Sequence, residues 1–138
     1  MTVVDPLDLS RAQRVVDRLV ADARARFDKP VCVALTDSYG FLIAFARADG
    51  GPVRSIALAQ QKAYTCARIG TSTTAFLERL RRENIDIGYF CDPLLTALPG
   101  GAPLQDARGR AIGAVGVSGL APEQDQHLAD SASALINP

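Results

Sequence analysis

One predicted helical segment of the sequence, SIALAQQKAYTCAR, carries a lysine among small and apolar residues. Lys62 is one of only two lysines in the chain, and helical spacing places it on the same face as Cys66. A lysine there can be an ordinary solvated side chain, can bind a substrate carboxylate, or can act as a base with a lowered pKa. Cys66 is either a small core residue or a thiolate held by Lys62. Tyr64 and Thr65 follow the lysine, and both are candidate ligand contacts.

The thiol of Cys91 is a second candidate for chemistry, and it lies in the segment GYFCDP. This segment has no regular periodicity, and irregular segments on a rigid scaffold often carry binding or catalytic residues. Tyr89 and Phe90 precede the thiol and could form the wall of a pocket for a flat ligand. The sequence therefore makes Cys91 a candidate catalytic residue and the two aromatic residues candidate ligand contacts.

The uncharged stretch LPGGAPLQ brings two prolines and two glycines together at Pro99, Gly100, Gly101 and Pro103. Glycine adopts positive φ at little steric cost and proline fixes its own φ, so the simplest interpretation is a rigid turn. Exposed backbone N–H groups of such a turn can also hold a carboxylate. The two interpretations are compatible, because a rigid turn makes a good edge for a binding pocket.

Three glycines recur at every third residue in IGAVGVSG, at Gly113, Gly116 and Gly119. In a strand, this spacing indicates close packing of a helix or of a neighbouring strand, or else a cleared floor for a ligand. A strand–turn–helix with GxGxxG spacing is absent, which excludes a Rossmann dinucleotide site. The helix that follows begins with Glu123 and Asp125, whose charges complement the helix dipole.

Composition excludes several classes of function. The chain has 138 residues with 15 basic and 15 acidic side chains, so nothing indicates binding to nucleic acid or to an anionic membrane. Three widely spaced cysteines and one histidine do not form a zinc-site pattern, and no metal site is predicted. Neither a signal-peptide pattern nor a membrane-spanning apolar run is present. We expect a cytoplasmic protein with one domain over residues 1–138.

The elements that must position these residues follow a simple order. Helical periodicity predicts helices over 10–27, 55–68, 71–84 and 121–136. The predicted caps are Ser10, Ser55 and either Thr71 or Ser72. Strands are predicted over 31–35, 41–46, 103–106 and 111–119. Because paired strands are joined by tight turns, the predicted fold class is α+β with a largely antiparallel sheet covered by helices.

Four stretches occur in a characteristic order: ALTDSYGFLIAFARADG, SIALAQQKAYTCA, LPGGAPLQD and GAVGVSGLAPEQDQHLA. Together they resemble the GlcG/HbpS family, also found as a partner domain of corrinoid adenosyltransferases, over nearly the whole chain. The resemblance implies a profilin-like fold, a central antiparallel sheet with helices packed on it. It also implies a homo-oligomer with a small-molecule pocket near the PGG turn. Asp125 becomes a candidate ligand contact, since the pattern SGxxxxxD recurs there.

Haem is the cofactor that the resemblance implies, since some members of the family bind it. Haem-binding relatives tend to carry a histidine near the first helix. Here the first helix has none, and the single histidine, His127, lies in the last predicted helix. Ligation of haem iron by cysteinate or tyrosinate is the chemical alternative.

The sequence thus favours a small-molecule-binding protein. The expected ligand is an anionic or aromatic metabolite, or haem, held in a pocket edged by the PGG turn and backed by the helix of Lys62. The alternative is a cofactor-free isomerase, tautomerase or lyase of small-molecule catabolism, in which Lys62 or Cys91 moves a proton and the turn amides hold the developing oxyanion. A third hypothesis is an assembly protein with a vestigial pocket.

Overall fold

The chain runs as a helix, a strand hairpin, two helices, a second hairpin and two final helices. The computed structural model describes residues 7–137. The elements are α1 (Leu9–Phe27), β1 (Cys32–Thr36), β2 (Leu42–Arg47), α2 (Arg54–Ile69), α3 (Thr73–Glu83), a 3-10 turn (Ile87–Phe90), β3 (Gly101–Gln105), β4 (Ala111–Ser118), α4 (Pro122–Asp130) and α5 (Ala132–Ile136). No helix within residues 7–137 has the length and apolarity that crossing a bilayer requires.

The strands form one antiparallel sheet in the order β2-β1-β4-β3. β1 pairs with β2 and β3 pairs with β4 as hairpins, while β1 and β4 lie side by side in the centre with Ala34 opposite Gly116. The predicted α+β class, with helices packed on a central antiparallel sheet, is confirmed.

Helices cover both faces of this sheet. α1, α4 and α5 lie on one face, over the large apolar side chains of the strands, among them Val33, Leu35, Leu104, Val115 and Val117. α2 lies on the other face, where the fully buried contact residues are small: Cys32, Ala34 and Ala114 of the sheet meet Ala59, Ala63 and Cys66 of the helix, and the larger Phe45 and Ile56 are only partly buried against them. This difference in side-chain size lets α2 approach the sheet closely.

Gly116 marks the closest approach of α2 to the sheet. A Cβ atom there would collide with the backbone carbonyl oxygen of Ala59 and would lie 2.8 Å from the backbone nitrogen of Ala63. Close helix packing is therefore the correct interpretation of this glycine, and the ligand-floor interpretation of it is wrong.

The caps differ in part from the sequence prediction. Asp8, not Ser10, caps α1, because its carboxylate accepts the N–H of Arg11 at 2.7 Å. Among residues 7–137, no side chain caps α2, and Ser55 lies inside that helix. Ser72 caps α3 as predicted, with its hydroxyl accepting from Ala75 N.

The last predicted helix is two helices. α4 ends at Asp130 and α5 begins at Ala132. The hydroxyl of Ser131 donates to the carbonyl oxygen of Leu128 at 2.7 Å, and such a bond from side chain to backbone competes with a regular helical ladder.

Candidate functional site

Lys62 lies inside the protein and has partners there. Its side chain is fully buried, and its Nζ donates to the carbonyl oxygen of Val117 at 2.8 Å and to Oδ2 of Asp125 at 3.1 Å. The solvated-lysine interpretation is therefore wrong. A lysine held in this way joins α2 to the end of β4 and to α4, and it has no free path to a substrate.

Asp125 completes the buried pair. Its Oδ1 accepts the N–H of Leu120 at 3.0 Å, just before α4 begins. Burial raises the pKa of Asp125, and the charge of Lys62 opposes this rise. Burial lowers the pKa of Lys62, and the charge of Asp125 opposes this fall. Lys62, a candidate base in the sequence, and Asp125, a candidate ligand contact, are thus hydrogen-bonded to each other.

The PGG turn faces the same pair, and it is shorter than predicted, because Gly101 and Pro103 already belong to β3. Gly100 has a φ of +132°, and a Cβ atom there would lie 2.6 Å from Nζ of Lys62. The Gly100 N–H donates to Oε1 of Gln126 at 2.8 Å, and the Gly101 N–H donates to Oγ1 of Thr73 at 2.8 Å. Because both amide hydrogens have internal partners, the proposed role of these amides as an oxyanion site is not supported. Glycine is needed here to admit the lysine.

Gln126 and Thr73 were missed by the sequence analysis. The Gln126 amide also donates to the carbonyl oxygen of Gly101 at 2.8 Å, and the Thr73 hydroxyl donates to Oε1 of Gln126 at 3.2 Å. Together they tie α3 and α4 to the start of β3. Pro99 and Pro103 flank this network, and each is half-buried. No periodicity signal distinguishes a buried glutamine from a surface one, so the sequence could not have indicated this network.

Cys66 and Thr65 are buried and have contacts within the fold. A Cβ atom on Gly101 would lie 2.7 Å from Sγ of Cys66, and burial raises the pKa of this thiol to about 12. Because the Nζ of Lys62 is bonded to Val117 and Asp125 instead, the interpretation of Cys66 as a thiolate held by Lys62 is not supported. The hydroxyl of Thr65 donates to the Gln61 carbonyl oxygen at 2.8 Å and accepts the N–H of Thr96 at 2.9 Å. Thr65 thus fastens the loop before β3 to α2.

Tyr89, Phe90 and Cys91 do not converge on one pocket. The Phe90 ring packs edge-on against Phe76 of α3, with centroids 5.3 Å apart. The Tyr89 side chain is 77% exposed. Cys91 is exposed at the end of the 3-10 turn with a φ of +55°, where its Sγ lies 3.7 Å from the carbonyl oxygen of Tyr89. The two aromatic side chains thus differ in their surroundings, and a wall for a flat ligand formed by both stays a prediction.

A cleft does open on the outer side of α2, between this helix and the turn that joins β1 to β2. Its volume is about 320 Å³, and it is lined by Thr36, Gly40, Leu42, Ala57, Gln60, Gln61, Tyr64 and Leu94. We call it the α2 cleft. Of the candidate ligand contacts named from the sequence, only Tyr64 lies in this lining. The PGG turn is not part of it.

Tyr64 is held in a fixed position at the α2 cleft. Its hydroxyl donates to Oδ2 of Asp92 at 2.6 Å, and the Arg68 guanidinium lies over its ring, 4.8 Å from the centroid. Gly40 presses on the ring from the β1–β2 turn, where a Cβ atom would lie 3.0 Å from Cδ2. The bond to Asp92 is the main cause that raises the pKa of Tyr64, and it likewise lowers the pKa of Asp92.

The other lining residues were not identified from the sequence. One signal was available: Ala57, Gln60, Gln61 and Tyr64 follow the spacing i, i+3, i+4, i+7, which is one helix face. That face reads as an ordinary polar surface until the β1–β2 turn and Leu94 are placed opposite it, and only the tertiary structure does so.

Comparison with known proteins agrees with this fold. Residues 7–134 match the family model described as haem degrading protein HbpS-like. Protein GlcG of Escherichia coli K12 is 33% identical over 110 residues, which is 78% of this chain and 80% of GlcG. An uncharacterized 15.0 kDa protein of Citrobacter freundii is 30% identical over 128 residues, which is 91% of this chain and 89% of that protein.

Solved structures are similar over nearly the full length. A double mutant of Streptomyces reticuli HbpS superposes with a TM-score of 0.82 at 26% identity, covering 98% of this chain and 90% of that one. A PduOC:heme complex superposes with a TM-score of 0.81 at 25% identity, covering 95% of both chains.

Proposed function

The chain belongs to the HbpS-like family of haem-degrading proteins, and from that premise we propose that it binds a small molecule in the α2 cleft. The observation that carries this proposal is the arrangement at Tyr64, a rigidly held phenol in an otherwise largely apolar depression of about 320 Å³. Small-molecule sites are typically depressions of this kind, mostly apolar with a few fixed polar groups. A ligand with a small, flat apolar body fits this description.

Several features of the cleft favour an ordered site over a chance depression. Arg68 stacks on the Tyr64 ring and donates from Nε to the carbonyl oxygen of Tyr39 at 2.7 Å, so the helix and the β1–β2 turn are tied together at its edge. Asp92 joins the loop before β3 to the same ring. Because three separate segments are bonded to one another around Tyr64, a ligand would meet side chains that are already in place.

Haem is the second candidate, since one similar structure is described as a heme complex. The lining of the α2 cleft does not fit an axially ligated haem. Tyr64 is the one lining residue of a type that ordinarily ligates haem iron, but its hydroxyl is bonded to Asp92, which raises its pKa and disfavours the tyrosinate. His127 and Cys91 are exposed and are not part of the lining. Haem at this cleft would therefore depend on packing and not on iron ligation.

The enzymatic alternative gains no support from the geometry. Lys62 is buried against Asp125, and Cys91 lies outside the α2 cleft. The two catalytic candidates also lie apart in the fold, one in the core and one on the surface. Homo-oligomerisation, a cytoplasmic location and a single domain over the whole chain stay predictions.

The proposal is tested with a variant that fills the cleft. Ala57 is an exposed lining residue of α2, so Ala57→Phe places a ring in the cleft without disturbing the core. Ala25→Phe makes the same change at an exposed position of α1 and serves as the matched control. We expect benzamide to produce saturable shifts in the amide NMR signals of Gly40, Gln61 and Tyr64 in the wild type and in Ala25→Phe, and not in Ala57→Phe.

Three results would overturn the proposal. Shifts that persist unchanged in Ala57→Phe would do so, as would shifts that map to another part of the surface. The third is the absence of saturable shifts with benzamide, haemin and metal-free protoporphyrin alike. Comparing haemin with protoporphyrin also tests the second candidate, because equal affinities indicate packing and a marked preference for haemin indicates ligation of iron by a residue outside the α2 cleft.

A further inference from the structure

The polar side chains of the α2 cleft are unequal in what they can offer a ligand. A hydroxyl group has one hydrogen to donate and two lone pairs to accept. The single hydrogen of Tyr64 is committed to Asp92, at 2.6 Å. The single hydrogen of Thr36 is committed to the carbonyl oxygen of Asp37, at 3.0 Å. The Tyr64 hydroxyl can therefore meet a ligand only as a hydrogen-bond acceptor, and the same holds for the hydroxyl of Thr36, a residue that is almost fully buried.

The side-chain amide of Gln60 also has more acceptor capacity than donor capacity left for a ligand. One N–H of its Nε2 donates to the carbonyl oxygen of Ile56 at 3.0 Å, which leaves one N–H and the whole carbonyl oxygen for a ligand. Gln61 adds a second amide that can either donate or accept. Counted over the lining, acceptor sites outnumber free donors.

Two carboxylates beside the lining add to this preference. The Asp92 carboxylate is bonded to the Tyr64 hydroxyl, and the Asp37 carboxylate accepts from Tyr39 N and Phe41 N in the turn that carries Gly40. Two negative groups therefore lie next to the cleft walls. A bound carboxylate would be repelled by both, whereas a cation or a neutral donor would not.

Arg68 is the positive group that could reverse this preference. It is not part of the cleft lining. Its Nε is bonded to the Tyr39 carbonyl oxygen at 2.7 Å, and its Cζ lies 4.8 Å from the centroid of the Tyr64 ring. These two contacts hold the guanidinium against Tyr39 and the Tyr64 ring and not in the lining of the cleft.

We propose that the α2 cleft selects ligands that donate hydrogen bonds, namely amides, amidines and other uncharged or cationic N–H and O–H compounds with a small apolar body, over carboxylates. This inference rests on the proposed function and adds the ligand class to it. It replaces the anionic ligand expected from the sequence. It also disfavours haem at this site, because haem carries two carboxylates.

Three probes of nearly the same shape test the inference directly. Benzamidine is a cation that only donates, benzamide is neutral and does both, and benzoate is an anion that only accepts. The expected order of affinity in NMR titration is benzamidine, then benzamide, then benzoate. Benzoate binding in the cleft as tightly as benzamidine, or more tightly, would overturn the inference and leave the proposed function standing. If none of these probes and neither haemin nor protoporphyrin produces saturable shifts at the cleft, the proposed function itself is overturned; if only haemin or protoporphyrin does so, the inference alone is overturned.

Two variants separate this selection from general charge effects. Tyr64→Phe removes one acceptor, so benzamidine should weaken about 2- to 10-fold, the range for one hydrogen bond, while benzoate changes little. In Asp92→Asn, the new amide can donate to the Tyr64 oxygen and release its hydroxyl hydrogen, so benzoate should gain relative to benzamidine. Asp49→Asn removes an exposed carboxylate outside the lining and is the control. An equal change in Asp49→Asn, or no gain of benzoate relative to benzamidine in Asp92→Asn, would contradict the inference.

Discussion

Lys62 Nζ and Asp125 Oδ2 lie 3.1 Å apart, and both side chains are buried. Lys62 belongs to α2 on one face of the sheet, and Asp125 belongs to α4 on the other. The lysine reaches its partner past Gly100, where only the absence of a Cβ atom leaves room. This ion pair therefore links the two helical layers at one end of the sheet.

Removing one partner of this pair should be strongly destabilising, because it leaves a buried charge without compensation. Lys62→Ala should lower the free energy of unfolding by about 3–5 kcal/mol, measured by urea denaturation. Lys29→Ala, at the other lysine, which is exposed, should change it by less than about 0.5 kcal/mol. The double variant Lys62→Met with Asp125→Leu should recover much of the loss, since apolar side chains of similar size can replace a buried pair. A loss below about 1 kcal/mol in Lys62→Ala would contradict this account.

Gly116→Ala should separate α2 from the sheet. The added methyl group would collide with the Ala59 carbonyl oxygen, a backbone atom that cannot turn aside. The expected loss of stability is about 3 kcal/mol or more. Gly109→Ala is the matched comparison, because its φ of +77° is strained for alanine but its surroundings are open, and about 1–2 kcal/mol is expected there. Equal melting temperatures of the two variants would show that the close approach does not limit packing.

The three cysteines should divide by burial. Cys91 is exposed, whereas Cys32 and Cys66 are buried, and burial raises the pKa of both buried thiols. In the native protein, a chromogenic aromatic disulfide should therefore react rapidly with Cys91 and with the other two only after denaturant is added. Cys91→Ser should abolish the rapid phase. A rapid phase that survives in Cys91→Ser would mean that a buried thiol becomes accessible.

The Tyr64–Asp92 bond should make its contribution to stability depend on pH in a defined way. The pKa of Asp92 is lowered in the fold, so the contribution of the bond is lost as the pH falls through the folded pKa of Asp92. The pKa of Tyr64 is raised in the fold, so the contribution is also lost as the pH rises through the folded pKa of Tyr64. It is fully present between about pH 4 and about pH 10.

Carboxyl NMR titration tests this pair. In Tyr64→Phe, the pKa of Asp92 should move up towards its ordinary value, because the phenol that stabilises the carboxylate is gone. The pKa of Asp106 is lowered by the backbone N–H of Arg110 and should not move, so it serves as an internal control. If the pKa of Asp92 stays where it is in the wild type, the bond to Tyr64 is not what lowers it.

Local sequence patterns were enough for the element types and the sheet. The hairpins follow from paired apolar runs joined by short turns, and the amphipathic spacing of α1 places its apolar side against the sheet. The wrong predictions concern helix ends, where two neighbouring side chains, or a side chain and the backbone, compete for the same hydrogen bonds. Ser131 divides the last helix because its side chain bonds to the backbone, and Asp8 displaces Ser10 as a cap because only its carboxylate reaches Arg11 N. The geometry at a single residue decides which hydrogen bond forms. The hydrophobic periodicity of the sequence is the same in either case and therefore does not reveal the outcome.

The sequence by itself determined which elements form, because periodicity and turn chemistry act over a few neighbouring residues. It also marked Lys62, Gly100, Asp125 and Tyr64 as unusual positions. Only the tertiary structure decided what they do. Lys62 and Asp125 are separated by 63 residues and become partners because α2 and α4 meet at one end of the sheet. Tyr64 becomes part of a cleft because the β1–β2 turn and Leu94 lie opposite α2. Contacts between distant segments depend on how the layers pack, and no local pattern contains that information.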